Sequence, residues 1–154
     1  MQRRAFLAAL STGAVAVAGC LGSGAQSSGG SGAGDSTSSG EYDGWFDDVS
    51  NYDGTVDRTG QERVTVKVGT RANGGGNGFG PAAVEVSTGT TVVWTWTGSG
   101  GTHNVVAENG AFESQYASKK GYTFEHTFEE TGTYTYYCQP HIGMGMKGAV
   151  RVVE

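Results

Sequence analysis

The sequence predicts an all-β domain, a sandwich or barrel dominated by antiparallel pairing, preceded by a leader and a tether that take no part in it. Three observations predict this. Short stretches rich in Val, Thr, Tyr and Trp alternate apolar with polar along residues 62–153. Glycine fills 28 of 154 positions and proline only 2, with no Gly-X-Y period, so the glycines belong to turns rather than to a collagen-like repeat. A folded part of about 110 residues is large enough to bury a core without disulfides.

The elements follow in order. Residues 1–19 read as an export signal: Arg3-Arg4 with Phe6 and Leu7 resembles a twin-arginine motif, and the weakly apolar run 5–18 is shorter than the ~20 residues a membrane span needs. The run ends in Val17-Ala18-Gly19-Cys20, which looks like a lipobox and makes Cys20 the expected lipidation site. The plainer alternative is an ordinary cleaved signal beside a chance cysteine. Residues 20–40, lipidated Cys20 followed by Gly, Ser, Ala, Thr and Gln, have no apolar period and read as a flexible tether with a mean reach of about 25 Å. Residues 41–154 form the domain. Gly44-Trp45-Phe46 opens it with a short helical turn, and strands are expected at 62–68, 83–87, 91–97, 101–107, 122–128, 133–138 and 148–153. Val64, Val66 and Val68 share one face of the first, and Val92, Trp94 and Trp96 one face of the third. Residues 73–78, rich in Gly and Asn, read as a loop.

Charge excludes one class of function. Lys+Arg total 10 against Asp+Glu 15, a net charge of −5, and no basic face is present to neutralise nucleic-acid phosphates. Loss of residues 1–19 takes Arg3 and Arg4 with it and lowers the net charge to −7. That charge would steer a cationic partner, although salt screens it to about 3 Å at 1 M. With Cys20 lipidated, Cys138 is left as a single free thiol in an exported protein, where such a thiol calls for an explanation.

Two segments supply one. Cys138-Gln-Pro-His141-Ile-Gly-Met144-Gly-Met146 gathers a thiol, an imidazole and thioethers into one strand-end loop, and His103 at the end of another strand can join them. Two imidazoles and a thiolate in a plane, with a long weak thioether axial to it, is the ligand set of a blue-copper electron-transfer site. Thiolate and thioether hold Cu(I), imidazole accepts Cu(II), and a compromise geometry serves both. Zinc would accept the Cys and His ligands, but thioether is a poor zinc ligand. Singly, each residue has a plainer reading: Cys138 a buried inert thiol, His103 a core histidine, His141 a loop cap, Met146 gap filler. Their joint spacing favours the metal. His126 alternates with Tyr122, Phe124 and Phe128 on one strand, away from both segments, and reads as structural.

Residues 132–148, with His103-Asn104-Val105-Val106 upstream, resemble the plastocyanin-type cupredoxins. The whole chain, including the lipobox, Asn51-Tyr52-Asp53-Gly54 and residues 89–94, resembles the halocyanins of haloarchaea. The resemblance implies a cupredoxin-like Greek-key β-sandwich holding one type 1 copper. It places His103, Cys138, His141 and Met146 on the ligand positions, Asn104 outside them as the tie between the two ligand loops, and Tyr137 on a lateral electron route. Met144 is a departure, a second thioether where small residues are usual; Met146 is favoured because it matches the plastocyanin-like loop length. The function expected is one-electron transfer at the outer face of the cytoplasmic membrane, without enzymatic activity. The expected partners are membrane redox proteins and, through lipidated Cys20, the bilayer, with the protein itself a monomer. A copper storage or delivery protein is the alternative; it would want exchangeable Met/His clusters, and only one compact site is visible.

Overall fold

Nine strands form two sheets packed face to face in the computed structural model, which describes residues 42–154. The expected signal at 1–19, lipidation at Cys20 and tether at 20–40 lie outside the described residues. The strands are β1 (Thr55–Asp57), β2 (Arg63–Ala72), β3 (Gly75–Gly80), β4 (Ala83–Ser87), β5 (Thr90–Trp96), β6 (Val106–Ala107), β7 (Thr123–Phe128), β8 (Gly132–Tyr137) and β9 (Lys147–Val153). One sheet runs β1-β4-β9-β8-β6 and the other β3-β2-β5-β7.

Alternation builds the interior as expected. On β2, Val64, Val66 and Val68 are buried while Arg63, Thr65 and Lys67 are exposed. Val92, Trp94 and Trp96 of β5 face them across register pairs such as Val66 with Trp94. Val84, Val86, Val150 and Val152 close the core from the other sheet. At its centre the fully buried Trp94 ring meets Phe112 at 5.2 Å, Tyr136 at 5.4 Å and Phe124 at 5.7 Å. Large aromatic area concentrated at one point is what lets so small a domain hold together without a disulfide.

The pairing is mixed rather than simply antiparallel. β2–β3, β5–β7, β6–β8 and β8–β9 are antiparallel, whereas β1–β4, β4–β9 and β2–β5 are parallel. Period-two alternation is the same in both arrangements, so only the crossing of the chain between sheets, in the Greek-key manner, decides it. Two strands were not anticipated. β1 is only three residues long, and β3 occupies much of the Gly/Asn stretch that reads as a loop. Its glycines are demanded by proximity rather than by a turn: a Cβ on Gly76 would lie 2.8 Å from the backbone nitrogen of Gly100, because the loop after β5 presses directly on this strand. The expected strand 101–107 shrinks to Val106–Ala107, because His103, Asn104 and Val105 are buried in succession and cannot alternate.

Residues 42–52 form a strap of consecutive turns over the outside of β4 and β9. Tyr42, Phe46 and Val49 bury Ala82, Ala83 and Ala149 there, Phe46 stacks on Tyr52 at 4.0 Å, and the Trp45 indole N–H donates to the Gly148 carbonyl. The short turn expected at 44–46 is part of this strap.

His126 sits on β7 opposite Val92, its ring 4.8 Å from Phe128 and 5.0 Å from Phe112. Burial holds its pKa below the ordinary 6.5, since the fold disfavours the charged ring. The unfolded chain therefore takes up that proton more readily, and stability is lost as pH falls through 6.5. In urea titrations of the copper-loaded protein, His126→Gln should lose less stability between neutral and mildly acid pH than the unsubstituted chain.

Candidate metal centre

The β8–β9 hairpin turns the spacing of the C-terminal motif into a site. Its last register pair is Tyr137 with Lys147, so Cys138 and Met146 stand opposite one another at the base of the connection. The Cys138 N–H donates to the Met146 carbonyl at 3.0 Å, and the Met146 N–H donates to the His141 carbonyl at 3.2 Å. Between them Gln139–Met144 winds as a 3₁₀ turn whose start accepts Pro140, because a first-turn residue needs no N–H donor. Gly145 closes the turn at φ 92°, and a Cβ there would fall 2.2 Å from the Asp48 carbonyl of the strap. The loop is thus clamped from both sides.

His103 arrives from the other sheet, after the loop that follows β5. Its N–H and carbonyl both pair with Ala117, at 2.9 Å each, and its side chain is buried. Nε2 lies 2.7 Å from the Ser99 carbonyl and must donate to it, which leaves Nδ1 unprotonated with its lone pair turned inward. The His141 Nδ1 lies 3.1 Å from it, and the Cys138 Sγ is 3.6 Å from the His103 Nδ1 and 3.5 Å from that of His141. The centre of this triangle is about 2 Å from each donor, the length of a bond from imidazole to a first-row metal ion.

Burial acts on two of the donors. Burial pushes the Cys138 thiol pKa up, opposed by the backbone N–H groups of Asn104 and His141 at the sulfur. Burial holds His103 low, so its ring is neutral at pH 7; the Ser99 carbonyl opposes that and the His141 ring adds to it. A metal that enters must displace the thiol proton, and a soft ion gains most from the thiolate left behind. Copper fits this set.

The other expected residues fall around the triangle. Met146 is fully buried in the same core cluster as Cys138, whereas Met144 is 50% exposed, so burial separates the two thioethers. The Asn104 Oδ1 accepts the Gln139 N–H at 2.8 Å and joins the two ligand-bearing loops. Tyr137 is half-buried, paired with Val106 and Lys147.

Three contributing residues escaped the sequence reading. Ser99 fixes the His103 tautomer through a carbonyl, which any residue could supply. Ser114 accepts the Val105 N–H on its Oγ, a tie across nine residues that follows no local pattern. Asn73 is the third. It takes the left-handed conformation at φ 54°, donates from Nδ2 to the carbonyls of Gly145 and Asn77, and accepts the Ser50 N–H on Oδ1. It therefore fastens strap, β2–β3 turn and ligand loop together. Only its turn propensity was visible in advance.

Residues 64–153 match the family model described as copper binding proteins, plastocyanin/azurin family. A halocyanin of Natronomonas pharaonis is 44% identical over 109 residues, 68% of this chain and 66% of that one, so the chain spans just under two thirds of that relative. A plastocyanin of Scenedesmus fuscus is 35% identical over 99 residues, 58% of this chain and 98% of that one. Among solved structures, a purple cupredoxin from Nitrosopumilus maritimus aligns with a TM-score of 0.49 at 32% identity, covering 58% of this chain and 99% of that one.

Replacing Asn73 by Gly keeps the left-handed backbone accessible while deleting the side-chain bonds. The metal-free protein should lose about 1–2 kcal/mol in urea unfolding. Amide exchange should quicken selectively at Ser50 and Met146, the ends of the clamp.

Proposed function

The chain belongs to the plastocyanin/azurin family of copper-binding proteins, and from that premise we propose that it is a one-electron carrier with a single type 1 copper site. The observation that carries this reading is the converging triangle of the His103 Nδ1, His141 Nδ1 and Cys138 Sγ. Bound copper supplies the Cu(II)/Cu(I) couple. The chain supplies the rest. His103, Cys138 and His141 would hold the ion, with buried Met146 as the fourth donor. The hairpin base, Asn104 and Asn73 keep these groups from moving as the charge changes. Four protein ligands leave no position for a substrate, which makes the protein a carrier and not an enzyme. Half-buried His141 carries the electron out at the domain's end, with Tyr137 as a lateral route.

We assign the place of work from the leader. Residues 1–19 are removed as a twin-arginine-type signal, Cys20 is lipidated, and 20–40 tether the domain at 41–154 to the outer face of the cytoplasmic membrane. There it exchanges electrons with membrane redox proteins as a monomer. Among the described residues no helix is long and apolar enough to cross a membrane; the anchor in this reading is the lipid on Cys20.

Spectroscopy and voltammetry test the metal site together. The copper-loaded protein should be intensely blue when oxidised and bleach on reduction by one electron. Cys138→Ser should abolish the band, because a serine hydroxyl cannot replace thiolate; a full blue band in that variant would overturn the reading. Met146→Leu should raise the reduction potential by favouring Cu(I), with little change from Met144→Leu. The larger shift in the Met144 variant would exchange the two.

The anchor has its own test. Metabolic labelling with a lipid precursor should mark the chain, and Cys20→Ser should lose the label and leave the membrane fraction. An unlabelled parent chain would make the protein a freely diffusing carrier.

A further inference from the structure

We infer that Met144 and the outer edge of the His141 ring form a landing site for Cu(I), from which the ion passes inward to the buried donors. This rests on the electron-carrier reading above and concerns how that same centre is filled.

Access comes first. Cys138, His103 and Met146 are exposed by 1% or less, and only His141 among the four donors is half-buried. An ion from solvent therefore arrives on the His141 side. What meets it there is set by the 3₁₀ turn Gln139–Met144. In such a turn side chains three residues apart eclipse one another, so His141 and Met144 stand on one side of it. Met144 is 50% exposed, and among the described residues it is the sole sulfur side chain at the surface.

The His141 ring is set to receive. Its Nδ1 lies 3.1 Å from the His103 Nδ1. The Ser99 carbonyl takes the hydrogen of the His103 Nε2, which makes the His103 Nδ1 an acceptor. The hydrogen between the two Nδ1 atoms then belongs to His141. A neutral imidazole with its hydrogen on Nδ1 keeps a lone pair on Nε2, across the ring from the Cys138 Sγ. Among the described residues nothing is hydrogen-bonded to that Nε2. The first turn outside the centre thus offers an imidazole lone pair beside a thioether.

Sulfur decides which ion this pair prefers. Thioether is a soft donor that selects Cu(I). An aliphatic side chain would give the turn the same apolar surface without that preference, as Ile142 does at 37% exposure. Transfer inward is an exchange of ligands with no change of oxidation state. The ion leaves the Met144 Sδ and the His141 Nε2 for the His103 Nδ1, the His141 Nδ1, the Cys138 Sγ and the Met146 Sδ. The His141 hydrogen passes from Nδ1 to Nε2 through water, and the Cys138 thiol gives its proton to water. One proton is released for each ion taken up.

The test mixes the metal-free full chain with limiting Cu(I), supplied anaerobically as its acetonitrile complex, and follows proton release with a pH indicator in stopped flow. At limiting copper the rate follows the population of the landing complex. Met144→Leu should therefore slow it by about tenfold, the scale on which loss of one supporting group weakens a metal site. With Cu(II), which gains little from thioether, parent and variant should turn blue at equal rates. After loading with Cu(I) and oxidation, both should reach the same blue band. Equal rates with Cu(I) overturn the inference. So does a variant slowed with both ions, since Met144 then only shapes the opening, and so does a displaced final band, since Met144 then belongs to the centre itself. A parent that takes up Cu(I) with release of one proton, is slowed by Met144→Leu, yet never turns blue on oxidation keeps the landing site and removes the carrier reading.

Discussion

The structure turns on the closure of the β8–β9 hairpin, where the Cys138 N–H meets the Met146 carbonyl. That bond brings the two ends of an eight-residue spacing together and makes His141, three residues after Cys138, point back over the thiol. Everything else about the site either supports that closure or aims His103 at it. The free energy is spread among weak terms. Backbone hydrogen bonds contribute about 1 kcal/mol each, but a metal site requires all its donors placed at once, so their cooperation matters more than their sum.

Two separate layers support the closure. The aromatic core around Trp94 positions both sheets, and through them the strand ends that carry Cys138 and the segment bearing His103. The strap at 42–52 does a different task from outside the sandwich. It seals the small side chains Ala82, Ala83 and Ala149 and brings the Asp48 carbonyl against Gly145. Asn73 binds this strap to the ligand loop. Such a shell suits a centre that must change charge without changing shape, because rigid surroundings keep both oxidation states near one geometry.

Charges of both signs surround the ligand loops. Glu62, Glu129, Glu130 and Glu154 stand where β2 starts and β7 and β9 finish, Asp47 and Asp48 of the strap stand beside the ligand loop, and Arg71, Lys119 and Lys120 flank the loop at 97–103. A composition average cannot reveal this. Residues 71 and 119–120 are far apart in the chain and become neighbours of one loop only because β2 and β7 flank β5.

What the sequence determined by itself was whatever depends on local order. Alternation on β2 and β5 specified inward faces, and the spacing of Cys138, His141 and Met146 specified a ligand loop, because side-chain direction within a strand and reach within a hairpin are properties of neighbouring residues. Tertiary structure alone decided the rest. It made β3 from a glycine stretch that reads as a loop, because the absence of side chains there answers to the backbone of another segment. It made β2–β5 and β4–β9 parallel, because identical alternation serves either direction. It joined Asn73 to Gly145 across 72 residues and folded the loop at Ser99 back onto the His103 ring, through carbonyl groups that every residue carries and no sequence pattern can mark.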